Sequence, residues 1–339
     1  MPRQFRTYTP RGSSGMPMKR STIPQLPMHR RPIGDHTPWT LAISAIIALA
    51  VLACTHLRDG CGETPTPEPN PPETHACAQN PGPAELTLAT WNIAWLANAE
   101  NRGRIPRTRE DLDRLVSYLD AIDADIYVLQ EIEGAAAAAL VFDPALYEMA
   151  FVDEDLTQQV GVVWRRDLPV SVHGAYEALG VGETRAGVDF SVCLGDQEIR
   201  MLGVHLKSGC FNDSFRSRNP DACRVQDLQT PTIRAWMDAR AAEETAFVLL
   251  GDFNRRFNAT DRVWQELNTD HTLSLSSEGL TQQCWNSRYR DYIDHFVLDA
   301  RATRWWIADS FREQTYLEEH AEHERELSDH CPMTITLRR

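Results

Sequence analysis

The sequence predicts an α/β domain in which one β-sheet packs on another and helices flank the pair. Three observations carry that reading. Apolar or alternating runs of strand length recur from residue 86 to residue 337. Helical patterns lie between only some of them. No Pro-rich break interrupts residues 85–339, so they are read as one domain. The composition, 42% hydrophobic and 24% charged, is that of a globular chain and can build a sizeable core.

The expected strands are Leu86 to Trp91, Ile126 to Leu129, Val160 to Trp164, Phe190 to Leu194, Ile199 to Leu206, Phe247 to Leu250, Tyr292 to Leu298 and Met333 to Leu337. Thr108 followed by Glu110 and Asp111 reads as a capped helix start, with Leu112, Leu115, Val116 and Leu119 on one face. A second helix is expected within 224–241, and Ala135 to Leu140 suits a short one. Many strands with few helices favour sheet on sheet.

Residues 1–54 read as an export segment. The uncharged run 39–53 follows Arg30 and Arg31 and is short for a membrane span. It ends at Val51-Leu52-Ala53-Cys54, which resembles a bacterial lipobox and implies lipidation of Cys54. The alternative is an uncleaved N-terminal anchor; either way the remainder faces away from the cytosol. Residues 55–84 are rich in Pro, Thr, Glu and Asn and are expected to be an extended, disordered tether to a membrane.

Seven cysteines lie beyond Cys54, with no Cys-x-x-Cys pair, so a zinc cage is poorly supported. In an oxidising compartment disulfides are the better reading, and Cys210 with Cys223 is the favoured pair. The formal net charge is −14, and the basic leader leaves the rest more acidic still. Such a surface argues against a protein that holds nucleic acid by electrostatics alone, though not against an enzyme needing transient contact.

The chemistry-bearing residues gather where apolar runs end. Asn92 follows the first run, Glu131 the second, and His205 lies near the end of the run from Ile199. Asp252 and Asn254 follow Val-Leu-Leu-Gly, Asp294 sits in Tyr-Ile-Asp-His-Phe, and Asp329 and His330 precede the last run. Each has a plainer reading. Asn92 alone is a turn residue, Glu131 alone a solvated strand end, and Asp252 with Asn254 an Asx turn. Asp294 is hardest to dismiss, because a carboxylate in an apolar run needs a partner.

In this order, Trp91-Asn92-Ile93, Leu129-Gln130-Glu131, Gly203-Val204-His205-Leu206-Lys207-Ser208, Leu250-Gly251-Asp252-Phe253-Asn254, Ile293-Asp294-His295 and Leu327-Ser328-Asp329-His330-Cys331-Pro332 resemble the endonuclease/exonuclease/phosphatase superfamily. The resemblance runs from about Leu86 to the C-terminus. It implies the deoxyribonuclease I-like fold, a four-layered α/β sandwich with two mixed β-sheets. It also implies metal ligands Glu131, Asn92 and Asp329. Asp252 and Asn254 would orient the attacking water and phosphoryl oxygens, with Asn254 donating to an oxygen gaining charge. His330 would act as acid/base, held by Asp294. His205 resembles the second histidine of the deoxyribonuclease and sphingomyelinase branches, and Arg185 an arginine that contacts phosphate. An oxygen-rich ligand set favours Mg²⁺ or Mn²⁺, with Ca²⁺ also compatible, over zinc.

The expected activity is therefore divalent-metal-dependent phosphoester hydrolysis. A phosphodiesterase or nuclease acting on DNA or RNA is the first reading. A phosphatase or sphingomyelinase-type phospholipase is the alternative, and an inactive surface binding module the rival from another class. No protein partner can be inferred.

Overall fold

The computed structural model describes residues 76–152, 156–212, 219–270, 272–286, 289–318 and 323–339. Two compact units, Met1–Asn70 and Pro71–Arg339, divide the chain, and the described residues all belong to the second. Cys54, the run 39–53 and Cys61 lie outside them.

The strands are β1 (Glu85–Leu96), β2 (Ile126–Ile132), β3 (Tyr147–Val152), β4 (Gln159–Arg165), β5 (Val170–Tyr176), β6 (Gly187–Leu194), β7 (Gln197–His205), β8 (Ala246–Asp252), β9 (Ser274–Leu275), β10 (Asp294–Leu298), β11 (Arg312–Glu313) and β12 (Met333–Arg338). They form two six-stranded sheets, ordered β11-β12-β1-β2-β4-β3 and β5-β6-β7-β8-β10-β9. Each sheet has one parallel pair at its centre, β1 with β2 and β7 with β8, among antiparallel neighbours. All eight expected strands are present. The four that were not expected, β3, β5, β9 and β11, are the four sheet edges.

Period-two alternation sorts each strand into two faces. Leu86, Leu88, Ile126, Val128, Val160 and Val162 of one sheet meet Val188, Phe190, Ile199, Met201, Val248, Leu250 and Phe296 of the other in an apolar inter-sheet core. Burying one such side chain is worth about 1.5–3 kcal/mol. The opposite faces pack on helices. Trp91, Ile93, Tyr127 and Leu129 meet Leu112, Leu115 and Leu119 of the helix Arg109–Ile122. Leu202, Val204, Phe247 and Leu249 meet Ile233 and Trp236 of the helix Pro220–Ala242. The result is helix, sheet, sheet, helix: the expected four-layered α/β sandwich.

The helix Arg109–Ile122 starts as expected. The Thr108 side chain accepts the Asp111 N–H, and the Asp111 carboxylate accepts the Thr108 N–H. The helix Pro220–Ala242 begins earlier than expected, because the Asn219 side chain caps it and Pro220 occupies its first turn. Disulfides join Cys77 to Cys193, Cys210 to Cys223 and Cys284 to Cys331.

The reading of 55–84 as an extended tether fails at its C-terminal end. Ala76–Gln79 form a helical turn, Cys77 is bonded to Cys193, the Gly82 N–H donates to Gly195 O, and the Gly195 N–H donates to Pro83 O. The folded domain therefore starts before residue 85. Because the Cys77–Cys193 bond closes a loop of 116 residues, replacing both cysteines by alanine should lower unfolding stability by about 2–5 kcal/mol. Urea titration measures this, and an unchanged midpoint would count against a structural role.

Candidate active site

The inward-facing rows of the strands do not end in apolar residues. In β8, Val248 and Leu250 face the other sheet, so Asp252 continues that row. In β7 the same parity carries Ile199 and Met201 on to His205. In β10, Phe296 and Leu298 share a face with Asp294, and in β1, Leu86 and Leu88 share one with Asn92. Cross-strand register then sets His205 and Asp294 each directly opposite Asp252. Four polar side chains thus cap one end of the inter-sheet core.

Asp252 is fully buried at their centre. Its Oδ1 accepts the Asn254 N–H at 2.7 Å. Its Oδ2 accepts Nδ2–H groups from Asn92 at 3.1 Å and Asn254 at 3.0 Å. Burial, and then the neighbouring Asp294 carboxylate, push its carboxyl up to about 7, against the opposing pull of His330 and the two asparagines. Gly251 makes the geometry possible. Its φ is 142°, and a Cβ there would lie 2.1 Å from the Val204 carbonyl oxygen.

His330 comes from the loop before β12. Its Nδ1 is 2.7 Å from Asp294 Oδ2, and its Nε2 lies 3.9 Å from Asp252 Oδ2. Burial opposes its charge, but Asp294, Asp252 and Asp329 outweigh that penalty and hold the imidazole protonated well above its ordinary range. The loop is fastened to the sheet it leads into, at β1. Ser328 Oγ donates to Asn92 O at 2.7 Å and accepts the His330 N–H, while Tyr316 OH donates to His330 O. Cys331 is disulfide-bonded to Cys284.

His205 behaves oppositely. It is buried, its Nε2 lies 3.5 Å from Asp252 Oδ2 and 3.8 Å from Glu131 Oε1, and its Nδ1 has no hydrogen-bond partner among the described residues. Burial, then the charges of Arg185, His330 and Lys207, hold it neutral well below its ordinary range. The two histidines therefore differ by a proton at neutral pH.

Strand parity alone would turn Glu131 toward the helices. A left-handed backbone, φ 57°, and a register break between Gln130 and Ile132 re-aim it. Glu131 and Asp329 line one depression of about 490 Å³, beside Trp95 and Arg104. A second cleft of about 640 Å³ is lined by Asp294, Asp329 and His330, with Phe211, Arg256 and Tyr289. Asp252, Asp294 and His330 also bring ligand atoms within 4.8 Å of one another. Their His330–Asp294 bond already engages two of the three, so Glu131 and Asp329 are the better cation donors. This oxygen-rich set suits a hard divalent ion. Cys284, Glu313 and Cys331 form a similar grouping, but its sulfurs are bonded to each other.

Three of the expected residues are engaged within the protein. Asn92, expected beside the metal, donates from Nδ2 to Asp252 and accepts the Ala94 N–H at Oδ1. Asn254, expected to donate to substrate oxygen, gives its amide hydrogens to Asp252 Oδ2 and Leu206 O. Arg185, expected on phosphate, bonds the Gln158 carbonyl at 3.1 Å and the Gln158 side chain, and its charge acts on His205.

Arg107 was missed. It is 2% exposed and donates to Ile93 O, Ala94 O and Leu327 O, clamping the end of β1 to the segment before Asp329. Burial lowers its pKa to about 10. Nothing in Ile-Pro-Arg-Thr-Arg distinguishes Arg107 from a solvated arginine in a single sequence.

A family model described as the Endonuclease/Exonuclease/phosphatase family matches residues 89–330. No curated protein sequence matches the chain. Among solved structures, TDP2 from C. elegans is 15% identical over 75% of each chain, with a TM-score of 0.54. A Neisseria 3′ phosphatase, NExo, bound to a product DNA hairpin, is 18% identical over 75% of this chain and all of its own, with a TM-score of 0.52. The AP endonuclease LMAP from Leishmania major is 14% identical over 76% of this chain and 88% of its own, also at 0.52. At these identities the likeness is one of fold.

The neutral state of His205 makes stability pH-dependent. A histidine with a depressed folded pKa contributes stability above its unfolded value of about 6.5 and loses it as pH falls. His205→Gln should therefore reduce the acid-side loss of stability below about pH 6.5. Urea titrations across that range check this; equal slopes in both proteins would contradict a buried neutral His205.

Proposed function

Because the chain belongs to the endonuclease/exonuclease/phosphatase family and is a phosphoester hydrolase, we propose that it is a divalent-metal-dependent phosphodiesterase, most naturally a nuclease. The observation that carries this reading is the His330–Asp294 pair, hydrogen-bonded at 2.7 Å, with the other imidazole nitrogen 3.9 Å from the buried Asp252 carboxylate. A phosphodiester resists hydrolysis because it repels nucleophiles and its alkoxide leaves poorly. The site offers an answer to each difficulty.

In this reading Asp252 accepts a proton from the attacking water, and Asn92 and Asn254 hold its carboxylate in place. His330 donates from Nε2 to the phosphoryl or leaving oxygen, while Asp294 fixes the tautomer at Nδ1 and stabilises the imidazolium. His205, neutral, serves as a hydrogen-bond group beside Asp252 and Glu131. Glu131 and Asp329 would hold Mg²⁺ or Mn²⁺, which supplies charge neutralisation at the phosphate. A phosphatase or sphingomyelinase-type phospholipase would use the same groups.

His330→Ala or Asp252→Asn should reduce turnover of bis-p-nitrophenyl phosphate by about 10²–10⁴-fold while the far-UV spectrum is retained. EDTA should silence the wild type, and Mg²⁺ or Mn²⁺ should restore it; chelator-resistant turnover would refute the metal requirement. We further propose that the protein is exported and held at the cell envelope by lipid on Cys54. Cys54→Ser should then move the activity from the membrane fraction to the soluble one; unchanged fractionation would refute the anchor.

A further inference from the structure

The cleft is double, and its halves meet at the acidic groups. Asp329 and Glu324 line both lobes, Asp294 and His330 only the lobe of about 640 Å³, and Glu131 only that of about 490 Å³. Each lobe carries an arginine packed on aromatic rings. In the smaller, the Arg104 guanidinium carbon lies 4.3 Å from the Trp95 ring centroid. In the larger, that of Arg256 lies 5.2 Å from Phe211 and 4.9 Å from Tyr289, a ring 49% exposed.

Trp95 reaches its lobe through an irregular backbone. Ala94 and Trp95 have φ of 47° and 58°, and the β1–β2 register breaks between Asn92 and Leu96. Left-handed backbone at a tryptophan is unfavourable and persists only where the surroundings impose it. A bulge of this kind re-aims a side chain, here into the cleft beside Glu131.

A ring capped by a guanidinium matches a nucleotide, with the ring facing a base and the cation facing a phosphate. A phosphomonoester, or a lipid whose second substituent is a small headgroup, presents an extended group on one side of phosphorus only. Two platforms, one in each of the lobes that share Asp329 and Glu324, match a phosphate with a nucleoside on each side. In a duplex, stacking covers the base faces, so the platforms require unpaired bases. Resting on the phosphodiesterase reading, we infer that the site cleaves internal phosphodiesters of single-stranded polynucleotide. One base stacks at Trp95–Arg104 and another at Phe211–Arg256–Tyr289.

The test compares kcat/KM for a short single-stranded oligonucleotide, the same sequence as duplex, sphingomyelin vesicles and bis-p-nitrophenyl phosphate. Wild type should prefer the single strand and release internal fragments. In Trp95→Ala and in Tyr289→Ala, the ratio of oligonucleotide to small-diester kcat/KM should fall about tenfold. Trp95→Phe and Tyr289→Phe, which keep a ring, should restore most of that ratio. Suppose wild type cleaves the small diester, but both alanine variants keep the ratio, or duplex or vesicles are preferred. The platform inference is then overturned while the phosphodiesterase reading stands. If wild type cleaves no diester with Mg²⁺ or Mn²⁺ present, both fall together.

Discussion

The structure turns on one buried carboxylate. Asp252 has no access to solvent, so its charge survives only if the protein replaces the water it has lost. The replacements come from both sheets. Asn254 follows its own strand, Asn92 reaches from the other sheet, and His330 brings a positive charge in on the loop tied to Asn92 by Ser328. Sandwich thickness and site geometry are therefore one quantity. A change in the inter-sheet core that moved β1 away from β8 would break the Asn92–Asp252 bond before it exposed any apolar surface.

The same constraint explains why the two histidines diverge. Both lie beside Asp252, but only His330 has a second carboxylate within hydrogen-bonding distance of its other nitrogen. His205 has an orphaned Nδ1 and cationic neighbours. One carboxylate, placed by the first residue of β10, separates a proton carrier from a neutral partner. The pair could not be distinguished by residue type.

What was legible in the sequence follows from burial. Strands covered on both faces write long apolar runs, so β1, β2, β4, β6, β7, β8, β10 and β12 could be read directly. The edges β3, β5, β9 and β11 are short or half-covered and leave little pattern. Site residues at strand ends were legible because a polar residue breaks an apolar row there. Glu131 was read from the ordered motifs, although strand parity alone would turn it away; Trp95 was not read, because its direction comes from left-handed backbone. Arg107 was not, because burial of a guanidinium depends on carbonyls that the chain supplies from far away.

The disulfide between Cys210 and Cys223 closes a loop beside the larger lobe. Its cysteines bring the chain back to within 4.9 Å at the Cα atoms, between the end of β7 and the helix Pro220–Ala242. Leu202 and Val204 of β7 also pack on Ile233 and Trp236 of that helix, so the bond closes a loop between elements already seated on each other. Lengthening such a loop costs little, about 0.6 kcal/mol for each doubling. The lip that bears Phe211 is thus a place where added chain would cost the sandwich little. Insertion there is a route to retuning what the cleft accepts without renegotiating the fold.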